Sequence, residues 1–505
     1  MEQHRASGVL MHLSSLPGDT GIGTMGAAAY AFVDFLQRAG QTYWQILPVC
    51  PTSYGDSPYQ SFSTFAGNPY FIDLQLLCRD GFLTPDEYRA VDWGADETNV
   101  DYGLLYKRRH ELFTAVWERF RLGPPADFRA FCDKNAFWLD DYALFMAIKD
   151  AHGGVAYSHW EDDIRTRQSA AVSMWRVKCA ERVQYYQMLQ YFFFKQWFAL
   201  KHYANRHGVR IIGDLPIYVA EDSADVWADP RQFRLDSDRR PVEVAGCPPD
   251  DFSADGQLWG NPVYDWAYMR RTRYRWWMQR LSMSLAIYDV IRIDHFRGFD
   301  SYYCIPYGAK NAKRGVWRKG PGMHLWNAVR RRLGDLPVIA EDLGFMTDSV
   351  RQMVADSGFP NMKVLQFAFD AAGESDHLPH AYHHNSVVYT GTHDNDTIRG
   401  WIGETKEADL AFAMDYLQAA DEEQLPAQMM RAAMASVCDI CILTMQDLLG
   451  LGAEARMNTP STVGENWRWR ARAEQITPEI ADRLAELTRL YGRAPAAAHK
   501  EDDHE

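Results

Sequence analysis

Val290-Ile291-Arg292-Ile293-Asp294 is a short β-branched run that ends in an acid. Three other runs share that design: Ile211-Ile212-Gly213-Asp214, Pro337-Val338-Ile339-Ala340-Glu341 and Val387-Val388-Tyr389-Thr390-Gly391-Thr392-His393-Asp394. Brief apolar runs of this kind read as buried parallel strands. A carboxylate at the end of such a strand is costly to desolvate, so its repetition marks strand tips that open together on a polar cleft. One such acid alone would be read as a helix N-cap or a junction ion pair. Capping does not account for Arg292, which precedes Asp294 by two residues and shares its face of the strand. The guanidinium is therefore expected beside the Asp294 carboxylate, holding it ionised at neutral pH. His393 and Asp394 offer two hydrogen-bonding groups at another tip.

Working outward, eight segments read as parallel strands: 8–12, 43–49, 209–217, 290–295, 336–343, 362–369, 386–393 and 441–449. Helical patterns lie between them, at 28–39, 185–204, 266–285, 326–332 and 407–417. Repeated strand and helix in this number predicts an α/β fold, a (β/α)8 TIM barrel whose site lies at the C-terminal strand ends. A doubly wound sheet is the alternative, but no glycine-rich phosphate loop follows the first strand. Roughly 160 residues separate the second and third strands, far more than an ordinary connection. The expected organisation is a barrel over 1–50 and 207–493 and a mainly helical insertion over 51–206. The Thr84-Pro85 start signal and helical patterns at 140–149 and 180–206 support the insertion. Polar, charged 494–505 reads as a disordered tail.

Composition narrows the function. The chain has 505 residues, 47% hydrophobic, enough for a large core. No run of about 18 apolar residues is present, and Met1-Glu2-Gln3-His4-Arg5 lacks the apolar core of a secretory signal. Eight scattered cysteines are too few for a disulfide scaffold, so the cytoplasm is the expected location. A net charge of -14 argues against nucleic acid and anionic membrane as partners. Loop aromatics such as Tyr54, Tyr59, Trp259, Tyr264 and Trp467 suit sugars, whose C–H faces stack on rings while their hydroxyls need polar groups. Cys438 and Cys441 have metal or redox spacing but no second pair, and read as buried thiols. His377, His380, His383 and His384 read as an exposed turn or lid.

Several longer motifs complete the reading: Tyr54-Gly-Asp-Ser-Pro-Tyr-Gln60, Gly213-Asp-Leu-Pro-Ile-Tyr-Val219, Pro248-Pro-Asp-Asp-Phe-Ser-Ala-Asp-Gly-Gln-Leu-Trp-Gly-Asn-Pro262, Arg292-Ile-Asp-His-Phe-Arg-Gly298, Ala340-Glu-Asp-Leu-Gly344 and Gly391-Thr-His-Asp-Asn395. Together with the opening stretch Gly8 to Gly18, they resemble, in order, the 4-α-glucanotransferases, called amylomaltase in bacteria and disproportionating enzyme in plants, within the wider α-amylase clan. The resemblance implies transfer of α-1,4-glucan segments between malto-oligosaccharides, without cofactor or metal. It implies that Asp294 is the nucleophile, Glu341 the general acid/base and Asp394 the third carboxylate. Arg292 and His393 would support the nucleophile and its sugar. Ser57, Tyr59, Asp214 and Trp259 would line the same subsite, Phe367 would be an acceptor platform and Tyr54 part of a second, remote glucan groove. Stretches near 246–262 and 460–470 would be lids that exclude water.

A typical α-amylase has a histidine where this chain has Val219, which favours the transferase branch. The lid commonly reads Gly-Val-Pro-Pro-Asp-Tyr-Phe-Ser, whereas Cys247 and Asp251 stand here. Retention at the sugar carbon takes two inversions, with the carboxyls about 5–5.5 Å apart. Glu341 needs a raised pKa to keep its proton, and Asp294 is expected to stay anionic. A hydrolase of the same substrates and a catalytically dead glucan-binding barrel are the alternatives. The intact acid/base pair speaks against the latter.

Overall fold

Runs of Val, Ile and Leu with no polar face must be covered on both sides, and the chain achieves this by surrounding them with helices. The computed structural model describes residues 5–53, 55–249 and 254–495. Its strands are β1 (Ala6–Leu10), β2 (Tyr43–Gln45), β3 (Arg210–Leu215), β4 (Glu243–Cys247), β5 (Gln257–Pro262), β6 (Val290–Ile293), β7 (Ser301–Pro306), β8 (Val316–Lys319), β9 (Val338–Ala340), β10 (Asn361–Val364), β11 (Ser386–Tyr389) and β12 (Ile440–Thr444). Eight of them form a parallel sheet in the order β10-β11-β12-β1-β2-β3-β6-β9. The sheet curls until its two edges meet. There the Ala340 N–H donates to the Pro360 carbonyl at 2.9 Å, and the Met362 N–H donates to Asp342 Oδ1 at 2.9 Å. A side-chain oxygen thus stands in for part of the β9–β10 ladder, and the (β/α)8 barrel closes as expected.

Each expected strand is present, all but the first shorter than read, and 445–449, read as the end of the last strand, is the helix Met445–Leu449. Asp214 stays within β3, whereas the other acids follow the strand ends. β6 ends at Ile293, β9 at Ala340 and β11 at Tyr389, so Asp294, Glu341, His393 and Asp394 lie just past the paired residues. Parallel pairing puts Asp214 opposite Arg292 and Ile293 opposite Ala340. Gly213 permits the first of these alignments, since a β-carbon there would lie 2.2 Å from the Tyr288 ring. Deeper in the barrel, the buried Tyr389 hydroxyl donates to Gln45 Oε1 at 3.0 Å.

Between β2 and β3 the longest elements are the helices Tyr102–Phe120, Phe128–Ala151 and Ala180–Arg206. Pro85–Arg89 opens with the Thr84 N–H donating to Glu87 Oε2 at 2.8 Å. Ala180–Arg206 leads directly into β3 and buries Phe192, Phe193, Phe194 and Trp197 along its length. The pattern read as one helix over 266–285 is two, Trp266–Arg271 and Arg275–Ile287. Arg273 and Tyr274 both take φ of +54° and break it. No α-helix separates β10 from β11, where the turns Leu365–Phe367 and Pro379–Ala381 suffice.

A second sheet, antiparallel in the order β5-β4-β7-β8, stands beside the barrel mouth. Sequence reading did not anticipate it. The stretch read as a loop at 246–262 begins in β4 and ends in β5, and residues 250–253 at their connection, Asp251 included, lie outside the described residues. The same holds for the tail from residue 496 onward. Among the described residues no helix is long and apolar enough to cross a membrane.

Arg493 joins the two ends of the described chain beneath the barrel. Its guanidinium is fully buried and donates to the carbonyls of Met434 (2.8 Å), Ala6 (2.9 Å), Ser436 (3.0 Å) and Cys438 (3.0 Å). Removing the donor strands several buried acceptors at once. Arg493→Met should therefore destabilise the protein by about 3 kcal/mol, read as a lowered midpoint of thermal unfolding; an unchanged midpoint would deny this tie its role.

Candidate active site

The register of β3, β6 and β9 assembles the centre of the site. Arg292 Nη1 donates to Asp214 Oδ2 at 2.6 Å across the strand pair and to Asp294 Oδ1 at 3.2 Å along its own strand. The Tyr59 hydroxyl adds a donor to the same Asp214 oxygen at 2.9 Å. The Arg292 side chain is 4% exposed and that of Asp294 30%, so the arginine sits below and the carboxylate faces the opening. Glu341, one strand over, has both oxygens held by backbone: Oε2 accepts from the His295 N–H at 2.6 Å and Oε1 from the Leu343 N–H at 2.7 Å. His295 reaches this position with a left-handed φ of +50°. Such backbone in a non-glycine residue is uncommon and concentrates at functional sites.

Electrostatics modify one expectation. Burial raises the pKa of Glu341, with Arg292 and the two backbone donors opposing. Asp294 is raised as well, and strongly: burial leads, Arg292 opposes it, and the charges of Asp214, Glu341 and Asp394 add to it. Sequence reading had Arg292 hold Asp294 ionised. Burial outweighs the arginine, which gives its shorter bond to Asp214 and its longer one to Asp294. Burial also lowers the pKa of His393, and brings that of His295 down to about 3 with help from Arg297, so both rings are neutral near pH 7.

Past β11, His393 Nε2 lies 3.4 Å from Asp394 Oδ1. Tyr59 stacks on the His393 ring at 5.2 Å between centroids, and Trp467 lies 5.9 Å from it. Two residues that sequence reasoning missed hold Asp394. Asn458 Nδ2 donates to its Oδ1 at 2.6 Å, and Arg456 Nη2 donates to its backbone carbonyl at 3.0 Å. Neither has a sequence signal: both follow the last barrel strand, far along the chain from Asp394. A third missed residue, His12, lies within the opening motif. Its Nδ1 accepts the Leu47 N–H at 3.2 Å, which puts the ring proton on Nε2, and burial with His393 nearby lowers its pKa to about 3. A cavity of about 20 Å³ lined by His12, Ser15, Thr392 and His393 separates the two imidazoles, room for about one water.

The other sequence candidates are more spread out. Trp259, on β5, meets the His295 ring edge-on at 4.8 Å, and its carbonyl accepts from Gln60 Nε2 at 3.2 Å. Ser57 Oγ accepts from the Tyr59 N–H at 3.2 Å and so orients that tyrosine. Phe367 is half-exposed on the turn after β10, edge-on to His377 at 5.7 Å. Tyr54 lies outside the described residues. The four histidines have separate duties. His377 Nδ1 accepts from the Val364 N–H at 3.1 Å, His380 contacts the Tyr416 hydroxyl at 2.9 Å, His383 contacts Ser386 Oγ at 2.8 Å, and His384 lies 3.1 Å from Asp439. Cys438 and Cys441 are buried. Among the described residues no group of three His, Cys, Asp or Glu is placed to hold a metal ion.

This arrangement of two adjacent carboxyls, a shared arginine and a third carboxyl beside a histidine suits chemistry at a sugar carbon. Comparison with known proteins agrees. A family model described as 4-alpha-glucanotransferase matches residues 11–476. A 4-alpha-glucanotransferase of Streptococcus pneumoniae is 50% identical over 97% of this chain and 97% of its own length. One from Clostridium butyricum is 47% identical over 96% of this chain and the whole of its own. The solved structure of amylomaltase from Streptococcus agalactiae in complex with acarbose superposes with a TM-score of 0.95 at 44% identity, covering 97% of this chain and 100% of that one. On this site, this fold and this likeness, the chain belongs to the 4-alpha-glucanotransferase family.

Proposed function

We propose that the chain transfers α-1,4-glucan segments between malto-oligosaccharides by a retaining double displacement, with Asp294 as nucleophile and Glu341 as acid/base. The observation that carries the assignment is the β6–β9 register. Ile293 pairs with Ala340, so Asp294 and Glu341 follow side by side on neighbouring strands. Adjacent strands run about 4.8 Å apart, which suits the separation of about 5–5.5 Å that retaining carboxyl pairs use.

In the first half-reaction Glu341 gives a proton to the leaving glycosidic oxygen while Asp294 Oδ attacks the sugar carbon. In the second, Glu341 takes a proton from the incoming 4-hydroxyl, which displaces Asp294. Each Glu341 oxygen accepts one N–H, from His295 or Leu343, and keeps a second lone pair that can carry the proton toward the leaving oxygen. The same donors hold the anion between proton transfers. Asp394, held by Asn458, meets the sugar hydroxyls and the positive charge that develops on the ring; neutral His393 adds a hydrogen bond without adding charge. Asp214 holds Arg292 and also accepts the Tyr59 hydroxyl, and this acid and tyrosine line the pocket, with Ser57 behind Tyr59 and Trp259 at the rim. Phe367 serves the acceptor, and Tyr54 a separate glucan groove.

Hydrolysis and transfer share the first half-reaction, so the choice depends on excluding water in the second. We assign that task to the 246–262 hairpin and the 460–470 segment. In the latter, Asn466 Nδ2 donates to the Thr462 carbonyl at 3.0 Å, and Trp467 packs toward Tyr59 at 5.8 Å. We place the protein in the cytoplasm, on eight cysteines spread thinly through 505 residues.

Purified protein incubated with maltotriose alone should yield glucose and a ladder of longer oligosaccharides by chromatography. Glucose and maltose without a ladder would replace transferase by hydrolase, and untouched maltotriose would leave only a binding barrel. Asp294→Asn should lower turnover by about 10⁴-fold or more. Asp214→Asn tests the electrostatics. The raised pKa of Asp294 means that activity falls with acid at a pH above the ordinary aspartate range. Removing the Asp214 charge and freeing Arg292 both lower that pKa, so the acid limb of the kcat/KM profile should move to lower pH by about one unit; a move to higher pH would refute the assignment. Asn458→Asp places a carboxylate against Asp394 and should cut kcat by about 10²-fold with little change in thermal midpoint.

A further inference from the structure

After Glu341 the chain turns at Gly344, φ +84°, and presents Phe345 with 76% of its surface exposed. One exposed apolar residue is ordinary on a protein surface. This one has built support. Arg297, in the turn after Asp294, donates to the Phe345 carbonyl, and its guanidinium carbon lies 4.3 Å from the centroid of the Trp317 ring. Arg297 is itself buried, while Trp317 is 43% exposed on β8 and braced at 5.3 Å by Tyr303, its partner across the β7–β8 ladder. One arginine therefore ties three elements together: the turn behind the nucleophile, the loop behind the acid/base and the edge of the second sheet.

The chemistry locates this structure relative to the substrate. A general acid protonates the leaving oxygen, so the leaving group, and later the acceptor, lies on the Glu341 side of the cleft. The groups that hold Glu341 are the His295 and Leu343 N–Hs, and these belong to the same turn and loop that carry Arg297 and Phe345. Phe367, after the next strand, is half-exposed as well. A Trp317 ring backed by Arg297 and Tyr303, and a Phe345 ring exposed from a loop whose backbone Arg297 anchors, suit the C–H faces of a neutral sugar chain.

We infer that Phe345 and Trp317, braced by Arg297, form an outer acceptor subsite that stacks against the second or third glucose unit of an incoming α-1,4-glucan. This deepens the transferase reading and rests on it. Phe345 is the residue to change, because its exposure makes its removal tolerable to the fold. With maltoheptaose as donor and labelled acceptors, Phe345→Ala should raise KM for maltotriose about three- to tenfold relative to KM for glucose, since glucose fills only the position beside the cleaved bond. Phe345→Trp should restore the wild-type ratio. An unchanged ratio in Phe345→Ala, with wild-type transfer intact, would overturn the subsite alone, as would an equal rise for both acceptors. A wild type that transfers to neither acceptor would overturn the transferase reading and the subsite with it.

Discussion

Arg292 binds two carboxylates at once, Asp214 at 2.6 Å across the β3–β6 pair and Asp294 at 3.2 Å on its own strand. A buried guanidinium keeps its charge and needs acceptors, so its placement commits both strands to one register. A slip of one residue would turn the arginine into the helix layer and leave Asp214 buried without its partner. The same sharing sets the chemistry. Burial raises the pKa of Asp294 and of Glu341, and Arg292 opposes the rise in both.

Backbone groups are as much a part of the site as side chains. Glu341 is held by two N–H groups, one of them presented by the left-handed turn at His295. The next residue, Asp342, receives the Met362 N–H and helps close the barrel. Two consecutive acids thus serve reaction and architecture in turn. Displacing this loop would disturb acid/base chemistry and barrel closure together, which couples the precision of the site to the stability of the fold.

Around the centre the structure changes from charged to aromatic. Tyr59, Trp467 and Trp259 border the carboxyls, and Phe345, Trp317 and Phe367 extend the series outward on the acid/base side. Transfer requires that sugar reach a reactive intermediate ahead of water, although water is far more concentrated. Rings favour a sugar face over water through the apolar area that stacking buries. The antiparallel sheet supplies two of these rings, Trp259 and Trp317, which gives that sheet a functional reason to stand at the barrel mouth.

Much of this was legible in the amino-acid sequence because it is local. Apolar runs of strand length, the helical patterns between them and the acids at their ends follow from periodicity and desolvation, and they sufficed for the barrel and for Asp214, Asp294, Glu341 and Asp394. The i, i+2 relation of Arg292 to Asp294 was equally local. Where strands stop was not, since ladder pairing depends on a neighbour; hence Asp294 and Glu341 fall past the paired residues. The break at Arg273 and Tyr274 depends on backbone conformation that apolar periodicity does not report. The second sheet joins segments whose pairing is invisible in any one of them. Asn458 and His12 reach the site from distant parts of the chain as residue types that commonly serve elsewhere. The division of Arg292 between two acids required distances, and the upward shift of Asp294 required burial. Sequence determined which groups end the strands, through patterns within a strand; tertiary structure decided which of them share a charge, because that depends on separation and burial.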